Sequence, residues 1–314
     1  MEKYVHSEVR LASSYGGSVP PIIVAHALHA VVPAARSATY MAIEGRGKLA
    51  GRPRKWEADV ADIRFNGAAP SHNEMVLRFA APRLGMAAPH LYEQRDFWRS
   101  PPTQDTTPID LLINAISEVS KENRDSDSFD QGVLRDIGRF SRVVEKDDIR
   151  LAFTKRIPHD HKVEVTSATI EHVRSLSRAT PAPHAIRLVG ALDMIRASTQ
   201  GFALQLDDGS EFSGIYEGGD ISELKALFKS RVLVNGMLVY RPSGKPLRID
   251  ATRVILASGE SSLWTRLPPP PDKLIGVHQL RRPQMGKTGI RNIVGRWPSN
   301  ESDDEVEDKL ISLS

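Results

Sequence analysis

The segment between residues 185 and 257 constrains the fold of this chain most strongly, because it reads as five short strands and one short helix. Alternating apolar and polar residues predict strands at 186–195, 202–206, 211–216, 231–240 and 247–255. Asp207-Asp208-Gly209 predicts a tight hairpin, and the apolar spacing over 221–228 predicts a helix before the fourth strand. The order β-β-β-α-β-β is typical of a small closed barrel of the oligonucleotide- and oligosaccharide-binding (OB) type, which has no exposed sheet edges. We therefore predict an OB-like five-stranded β-barrel over 185–257.

The N-terminal part, residues 1–105, is predicted to be a mixed α/β region. Apolar residues at helical spacing predict a helix over 21–35, and strands are predicted at 37–44, 56–65 and 74–79. The run Asn66-Gly67-Ala68-Ala69-Pro70 is rich in turn residues and predicts a turn between the last two strands. A chain of 314 residues has room for about two or three domains, so we predict an α+β multi-domain protein.

Residues 106–180 predict a helical hairpin with short strands. Thr107-Pro108 is a favourable helix start. Two apolar stripes at helical spacing follow: Ile109, Leu112, Ile113, Ile116 and Val119, and then Phe129, Val133, Ile137, Phe140 and Val144. We expect these two helices to pack on each other. Short strands are predicted at 149–153 and 163–166, a helix at 170–176 and a linker at 180–183.

The C-terminal part divides into a proline-rich linker with a basic segment, 258–301, and an amphipathic helix, 302–314. Pro268-Pro269-Pro270-Pro271 favours an extended, stiff spacer. Ser302 and Glu305 form a capping box, and Val306, Leu310 and Leu313 form one apolar stripe. Such a short helix is not stable alone in water, so it must dock either on this chain or on another molecule. We expect a flexible tail that docks on another molecule.

Blocks of opposite charge flank the start of this tail. The basic block is followed by an acidic one; the members are Arg281, Arg282, Lys287, Arg291 and Arg296, and then Glu301, Asp303, Asp304, Glu305, Glu307 and Asp308. Carboxylates in a first helical turn complement the helix dipole, which is one sufficient explanation of the acidic block. An interaction tail is the other.

A specific motif lies inside this tail. Gly295-Arg296-Trp297-Pro298 is followed by Glu301 and by Asp303-Asp304-Glu305. The pattern Gly-x-Trp-Pro-x-x-Glu-x-Asp-Asp-Glu resembles the tail of small bacterial antitoxin-like proteins, which are often encoded beside a PIN-type ribonuclease toxin. Ser299 and Asn300 stand where such proteins often have Asp or Gly. The resemblance covers about the final thirty residues and implies a non-catalytic protein that binds and inhibits a partner protein, a ribonuclease toxin.

Particular residues would carry that binding. Trp297 is the expected anchor, because aromatic side chains bury a large area at low entropic cost, and Pro298 would stiffen the approach. Val306, Leu310 and Leu313 would lie in an apolar groove of the partner. PIN-type nucleases resemble one another in an acidic metal site, so the hypothesis is that Arg291 or Arg296 enters that site.

Composition excludes some classes of function and indicates the cellular compartment. It has no cysteine, which excludes disulfides, cysteine–zinc sites and thiol catalysis. The most apolar stretch, 19–35, is interrupted by prolines and histidines, so we expect no membrane span, and no signal peptide is recognisable. A bacterial cytoplasmic protein is the expectation.

The sequence predicts neither an enzyme nor a cofactor or metal site. Gly286-Lys287-Thr288 lacks the glycine that a phosphate-binding loop needs at the position of Arg281. His159-Asp160-His161 and the pair His26 and His29 have no third ligand at motif spacing, so solvated or core histidines are the favoured interpretation.

Binding of DNA or RNA by the barrel is the alternative function. The barrel segment holds four aromatic residues, and OB barrels bind single strands by stacking and by basic grooves. The aromatics are Phe202, Phe212, Tyr216 and Tyr240, several of which alternation would place in the core. The candidate basic contacts are Arg52, Arg54 and Lys55 in a predicted loop between strands, and Arg241, Lys245 and Arg248 in the barrel. Further positive charge in the barrel segment comes from Arg187, Arg196, Arg231 and Arg253.

Overall fold

The computed structural model describes residues 2–48, 55–92, 102–145, 149–155, 161–259 and 264–270. The chain divides into two units, Met1–Pro270 and Pro271–Ser314. All described residues lie in the first unit, which is α+β. The predicted domain boundaries stay predictions.

The strands are β1 Tyr4–Ala12, β2 Arg64–Ser71, β3 Glu74–Pro82, β4 Arg150–Lys155, β5 His161–Val165, β6 His184–Arg196, β7 Gly201–Gln205, β8 Glu211–Tyr216, β9 Arg231–Tyr240 and β10 Pro246–Leu256. The helices are α1 Pro21–Glu44, α2 Lys55–Val60, α3 Leu84–Ala87, α4 Pro108–Ser120, α5 Gln131–Gly138, α6 Ser141–Val144 and α7 Ser167–Ala179. Short 3₁₀ helices cover Pro89–Tyr92 and Ile221–Leu227.

The first half of the chain forms one antiparallel sheet covered by helices. The strand order is β2-β3-β1-β4-β5, so segments from 1–105 and from 106–180 pair directly in one sheet. One hydrophobic core runs from Val9 of β1 to Leu176 of α7. This sheet and its helices are called the N-terminal module below.

The predicted strand over 37–44 is wrong, because α1 continues through Pro33 to Glu44. The helix persists because its second half buries a continuous face that includes Ala34, Ala35, Ala38 and Met41. Thr39 donates from its hydroxyl to the carbonyl of Ala35 at 2.8 Å, so this β-branched side chain is satisfied inside the helix. Tertiary burial outweighs the local strand propensity here.

α1 is long and apolar enough, by length and composition, to cross a membrane. Half of its most apolar window is buried inside the N-terminal module, where it packs on α4 and α5. A core helix passes the same length test, so this feature does not decide the localisation.

The hairpin between β2 and β3 differs from the prediction. The predicted strand at 56–65 is mostly α2, and the residues predicted as a turn, 66–70, lie inside β2. The reversal occurs instead at His72 and Asn73, which have φ of 47° and 66°. Two consecutive positive φ values are typical of a type I′ hairpin turn. Pro70 is tolerated because β2 is an edge strand.

The two predicted helical stripes are correct in place but not in their packing. α4 begins after Thr107, whose hydroxyl forms the predicted start as a capping box with Asp110. The second stripe is split into α5 and α6. The main helix partners of α4 and α5 are α1 and α7, so the predicted hairpin of two mutually packed helices is wrong. The strands and helix predicted between 149 and 176 are confirmed as β4, β5 and α7.

The second half forms the predicted closed five-stranded barrel. The strand order around it is β10-β8-β7-β6-β9, with β10 and β8 parallel and the other pairs antiparallel. Gly209 has φ of 78° in the predicted 207–209 hairpin. The predicted helix over 221–228 is the 3₁₀ helix, which connects β8 to β9.

Candidate functional site

A buried ion pair joins the barrel to the N-terminal module. Asp130 caps α5 by accepting from the backbone nitrogens of Gly132 and Val133 at 2.9 and 3.1 Å. Its other carboxylate oxygen accepts from Arg248 Nη1 of β10 at 3.2 Å and from the Gly47 nitrogen at 3.0 Å. Arg248 also donates to the Gly45 carbonyl at 2.8 Å. One carboxylate therefore connects α5, the end of α1 and the barrel.

A second buried arginine strengthens this junction. Arg46 is 5% exposed; it donates to Glu44 at 3.1 Å and to Glu217, which follows β8, at 2.6 Å. Arg46 lies just after α1, so the basic loop predicted between the strands at 37–44 and 56–65 follows a helix instead. Arg46 stabilises the junction and is not presented to solvent.

The three barrel residues predicted to contact nucleic acid all pair with carboxylates. Arg241 lies against Asp127, Lys245 donates to Asp125 at 2.7 Å, and Arg248 is held as described above. The hydrogen bond from Lys245 holds the pKa of Asp125 below its usual value. All three therefore bind the α4–α5 loop or the α5 cap. Their positive charges are balanced inside the chain, which weakens the argument that they contact phosphates.

The outer face of β7 and β8 is covered by the end of α1. Ile215 points to the opposite side of β8 from the core residues Phe212 and Tyr216, yet it is only 3% exposed. It borders a small cavity of about 60 Å³ together with Ile43 and Gly45. This face of the barrel is therefore closed to a large ligand.

The four barrel aromatics considered as stacking platforms are core residues. Phe202, Phe212, Tyr216 and Tyr240 are all buried and belong to the barrel core. Gly214 faces the ring of Phe202 so closely that a Cβ there would lie 2.2 Å from its Cζ atom. These rings stabilise the barrel, and none offers an open face to a base.

An open groove lies on another face of the barrel, between β6, β9 and the segment after β10. We call it the Trp264 groove; it has a volume of about 680 Å³, within the range of small-ligand sites. Its lining is His184, Ala185, Ile186, Arg187, Asn235, Gly236, Met237, Thr252, Trp264, Arg266 and Pro268. Sequence reasoning missed this groove because Trp264 lies beyond the predicted barrel and outside any periodic pattern.

The Trp264 groove combines an exposed aromatic ring with positive charge. Trp264 is 41% exposed, and the Arg187 guanidinium lies over its ring at 5.8 Å from the centroid. Arg253 of β10 is exposed and pairs in register with Asn235, which lies opposite Arg187 on β9. Arg266 adds a further cation, and the lining contains no carboxylate.

Tyr240 contacts His184 of the Trp264 groove, and its raised pKa should make the stability of the protein fall at alkaline pH. Its ring is 1% exposed and stacks on His184, and burial raises its pKa to about 12. In the unfolded chain a tyrosine ionises near pH 10, so the folded form holds the proton more tightly. This contribution is fully present below about pH 10 and is lost as pH rises toward 12.

We therefore expect the free energy of unfolding to fall between about pH 10 and pH 12, and less steeply in Tyr240→Phe. Urea unfolding at a series of pH values measures this. Tyr92, whose pKa burial also raises to about 12, gives a matched Tyr92→Phe variant for the N-terminal module. An unchanged slope in Tyr240→Phe would show that Tyr240 does not contribute.

The remaining predicted sites fall largely outside the described residues. This holds for Arg52 and Arg54, and for the tail positions Arg291, Arg296, Trp297, Pro298, Val306, Leu310 and Leu313. Lys55 begins α2, and its side chain is not described. Within the described ranges, no group of three or more His, Asp or Glu side chains is placed to hold a metal ion.

Comparison with known proteins gives no relative for this chain: no family model, no curated protein and no solved structure matches it.

Proposed function

We propose that this chain is a non-catalytic, antitoxin-like binding protein whose C-terminal tail binds and inhibits a PIN-type ribonuclease. The observation that carries the proposal is the Gly-x-Trp-Pro motif with its following acidic helix start, Gly295 to Glu305. The division of the chain at Pro270 and Pro271 supports it, because the motif lies wholly in the second unit. The described residues of the first unit form two hydrophobic core clusters.

In this proposal the tail supplies two kinds of contact. Trp297 and the apolar stripe of Val306, Leu310 and Leu313 supply buried apolar area, which drives association. Arg291 or Arg296 supplies charge for an acidic nuclease site, where a guanidinium would compete with the metal ion. Binding and inhibition are therefore separable, since different residues carry them.

The test is co-purification of the full chain with the product of its neighbouring gene, followed by a ribonuclease assay of the complex. We expect Trp297→Ala to weaken binding by about 30-fold or more, as an interface anchor worth about 2 kcal/mol would. The combined Arg291→Ala and Arg296→Ala variant should still bind but inhibit less. Isothermal titration and initial ribonuclease rates measure the two effects.

Trp264→Ala is the matched control, because it removes the same side chain from the first unit. It should leave partner binding unchanged. Equal binding by wild type and Trp297→Ala would exclude the tail as the contact, and unaltered inhibition in the double arginine variant would exclude the metal-site hypothesis. Failure of the full chain to bind the neighbouring product would overturn the proposed function.

A second candidate function is nucleic-acid binding by an OB-like barrel. The specific observation in its favour is the strand order β6-β7-β8-β10-β9, with the one parallel pair between β8 and β10, which agrees with an OB barrel. Such barrels commonly bind ligands on their second and third strands and the adjacent loops. Here that face is covered by α1, and the loop at 241–245 is bound to Asp125 and Asp127. Nucleic acid would therefore need a different face.

A further inference from the structure

We propose that the Trp264 groove is a binding site for single-stranded nucleic acid. An unpaired base would stack on the open face of Trp264, and phosphates would contact Arg187 and Arg266. The inference deepens the second candidate function and rests on it, and it assigns the site to β6, β9 and residues 264–268.

The first support is the arrangement of the tryptophan ring. One face of Trp264 carries the Arg187 guanidinium at 5.8 Å, while 41% of the residue remains exposed. The cation–π contact holds the ring in place before a ligand arrives, so less ordering entropy is lost on binding. A base on the free face would complete a guanidinium–indole–base stack. Stacking on an aromatic ring accepts any base, so little sequence preference is expected.

The second support is the charge of the groove. Two arginines and a histidine line it, and Arg253 lies in register beside Asn235 on the same side of the sheet. Among the described residues, neither Arg187 nor Arg266 has a carboxylate at salt-bridge distance. The charge of Arg266 is the smallest of the causes that lower the pKa of Asp208. These cations contrast with Arg241, Lys245 and Arg248, whose charges are balanced by aspartates. Balanced charges gain little from a phosphate, whereas these two can neutralise one.

The third support is the presence of groups that suit a base edge. Asn235 and Thr252 offer donors and acceptors at the groove wall, and Met237 is 39% exposed, as an apolar contact for a base or sugar. A volume of about 680 Å³ suits one or two nucleotides rather than a duplex. A base that is paired in a helix could not reach the Trp264 ring, so single strands should bind more tightly than duplexes.

The experiment measures binding of fluorescein-labelled oligo(dT) and oligo(rU) to the full chain by anisotropy at several salt concentrations. A duplex of matched length is the comparison. We expect Trp264→Ala to weaken binding about 10-fold, as the loss of one stacked base would, and to remove the quenching of tryptophan fluorescence. Arg187→Gln and Arg266→Gln should each lower the salt slope by about 0.7, as expected for one lost phosphate contact to a single strand.

Two controls separate the groove from other surfaces. Arg231→Gln removes an arginine from the same strand, β9, but one already paired to Asp207 at 2.7 Å, and should leave the salt slope unchanged. Trp297→Ala removes a tryptophan of the tail and should leave binding unchanged. Urea midpoints of all variants establish that they are folded.

Each other outcome has a distinct meaning. Binding by wild type that Trp264→Ala, Arg187→Gln and Arg266→Gln leave intact would overturn the groove assignment while preserving nucleic-acid binding as a function. No binding of either strand at low salt would overturn both. Binding of poly-glutamate but not of either strand, with the same dependence on Trp264, would assign the groove to an acidic protein segment and overturn the proposal.

Discussion

Asp130→Ala is expected to lower the free energy of unfolding of this protein by about 3–5 kcal/mol. The substitution leaves Arg248, which is 7% exposed, as a buried charge without one of its carboxylate partners. It also removes the cap of α5 and the acceptor for the Gly47 nitrogen. Urea unfolding followed by circular dichroism measures the loss.

Asp130→Asn separates the two parts of this effect. Asparagine is as good a cap as aspartate, so the variant keeps the α5 contacts, but its amide nitrogen cannot accept from Arg248 or from the Gly47 nitrogen. Arg248→Met supplies the other half of a double-mutant cycle. Because each single variant removes one side of the same buried interaction, the loss in Asp130→Asn with Arg248→Met should be smaller than the sum of the two.

Asp125→Ala is the comparison for an exposed pair in the same interface. Asp125 and Lys245 are both largely exposed, so its loss should cost less than about 1 kcal/mol. Equal losses in Asp125→Ala and Asp130→Ala would contradict the view that the buried aspartate dominates this junction. Trp56 is buried in the N-terminal module, so its fluorescence follows the unfolding of that module. Agreement of its midpoint with that from circular dichroism would show that the module and the barrel unfold together.

The barrel could be predicted from the sequence because its information is local. Burial alternates along β9, and the turns at 207–209 and 242–244 contain glycines with positive φ, Gly209 and Gly244. Because consecutive strands usually pair, only a few strand orders are then possible. The closed barrel is confirmed, and its finer OB-like assignment stays a proposal.

The N-terminal module could be predicted only in part because its elements depend on distant partners. β1 went unrecognised although Ser7, Val9 and Leu11 alternate as buried residues, because Glu8 and Arg10 make the segment polar. It is a central strand, paired with β3 and β4, which are far away in sequence. Similarly, residues 37–44 are helical because of what they bury, which local propensity does not report.

The candidate site residues could also be predicted only in part, because their roles depend on residues distant in sequence. A list of basic residues in the barrel contains both balanced and unbalanced charges, and the sequence does not show which is which. Arg248 finds Asp130, 118 positions away, whereas Arg187 finds the ring of Trp264. Only the fold separates an arginine that stabilises an interface from one that faces an open groove.

Phe202→Ala is expected to lower the free energy of unfolding by about 3–5 kcal/mol, because it empties the centre of the barrel core. The Phe202 ring is 1% exposed and lies against Gly214 of the neighbouring strand β8. A Cβ at Gly214 would lie 2.2 Å from the ring, so the Phe202 side chain would have to shift to accommodate it. Gly214→Ala alone should therefore cost about 1–3 kcal/mol.

The double variant tests whether the ring and the glycine act as one unit. Once Phe202 is alanine, the space in front of Gly214 is open, so Gly214→Ala should lower the free energy of unfolding little. The loss in the double variant should therefore be smaller than the sum of the two single losses. Urea midpoints of the four proteins measure the coupling, and Gly259→Ala, where an added Cβ meets nothing within 4 Å, is the control. Additive losses would show that the cost of Gly214→Ala does not come from the Phe202 ring. A large coupling would show that Phe202 and Gly214 form one packed contact between β7 and β8.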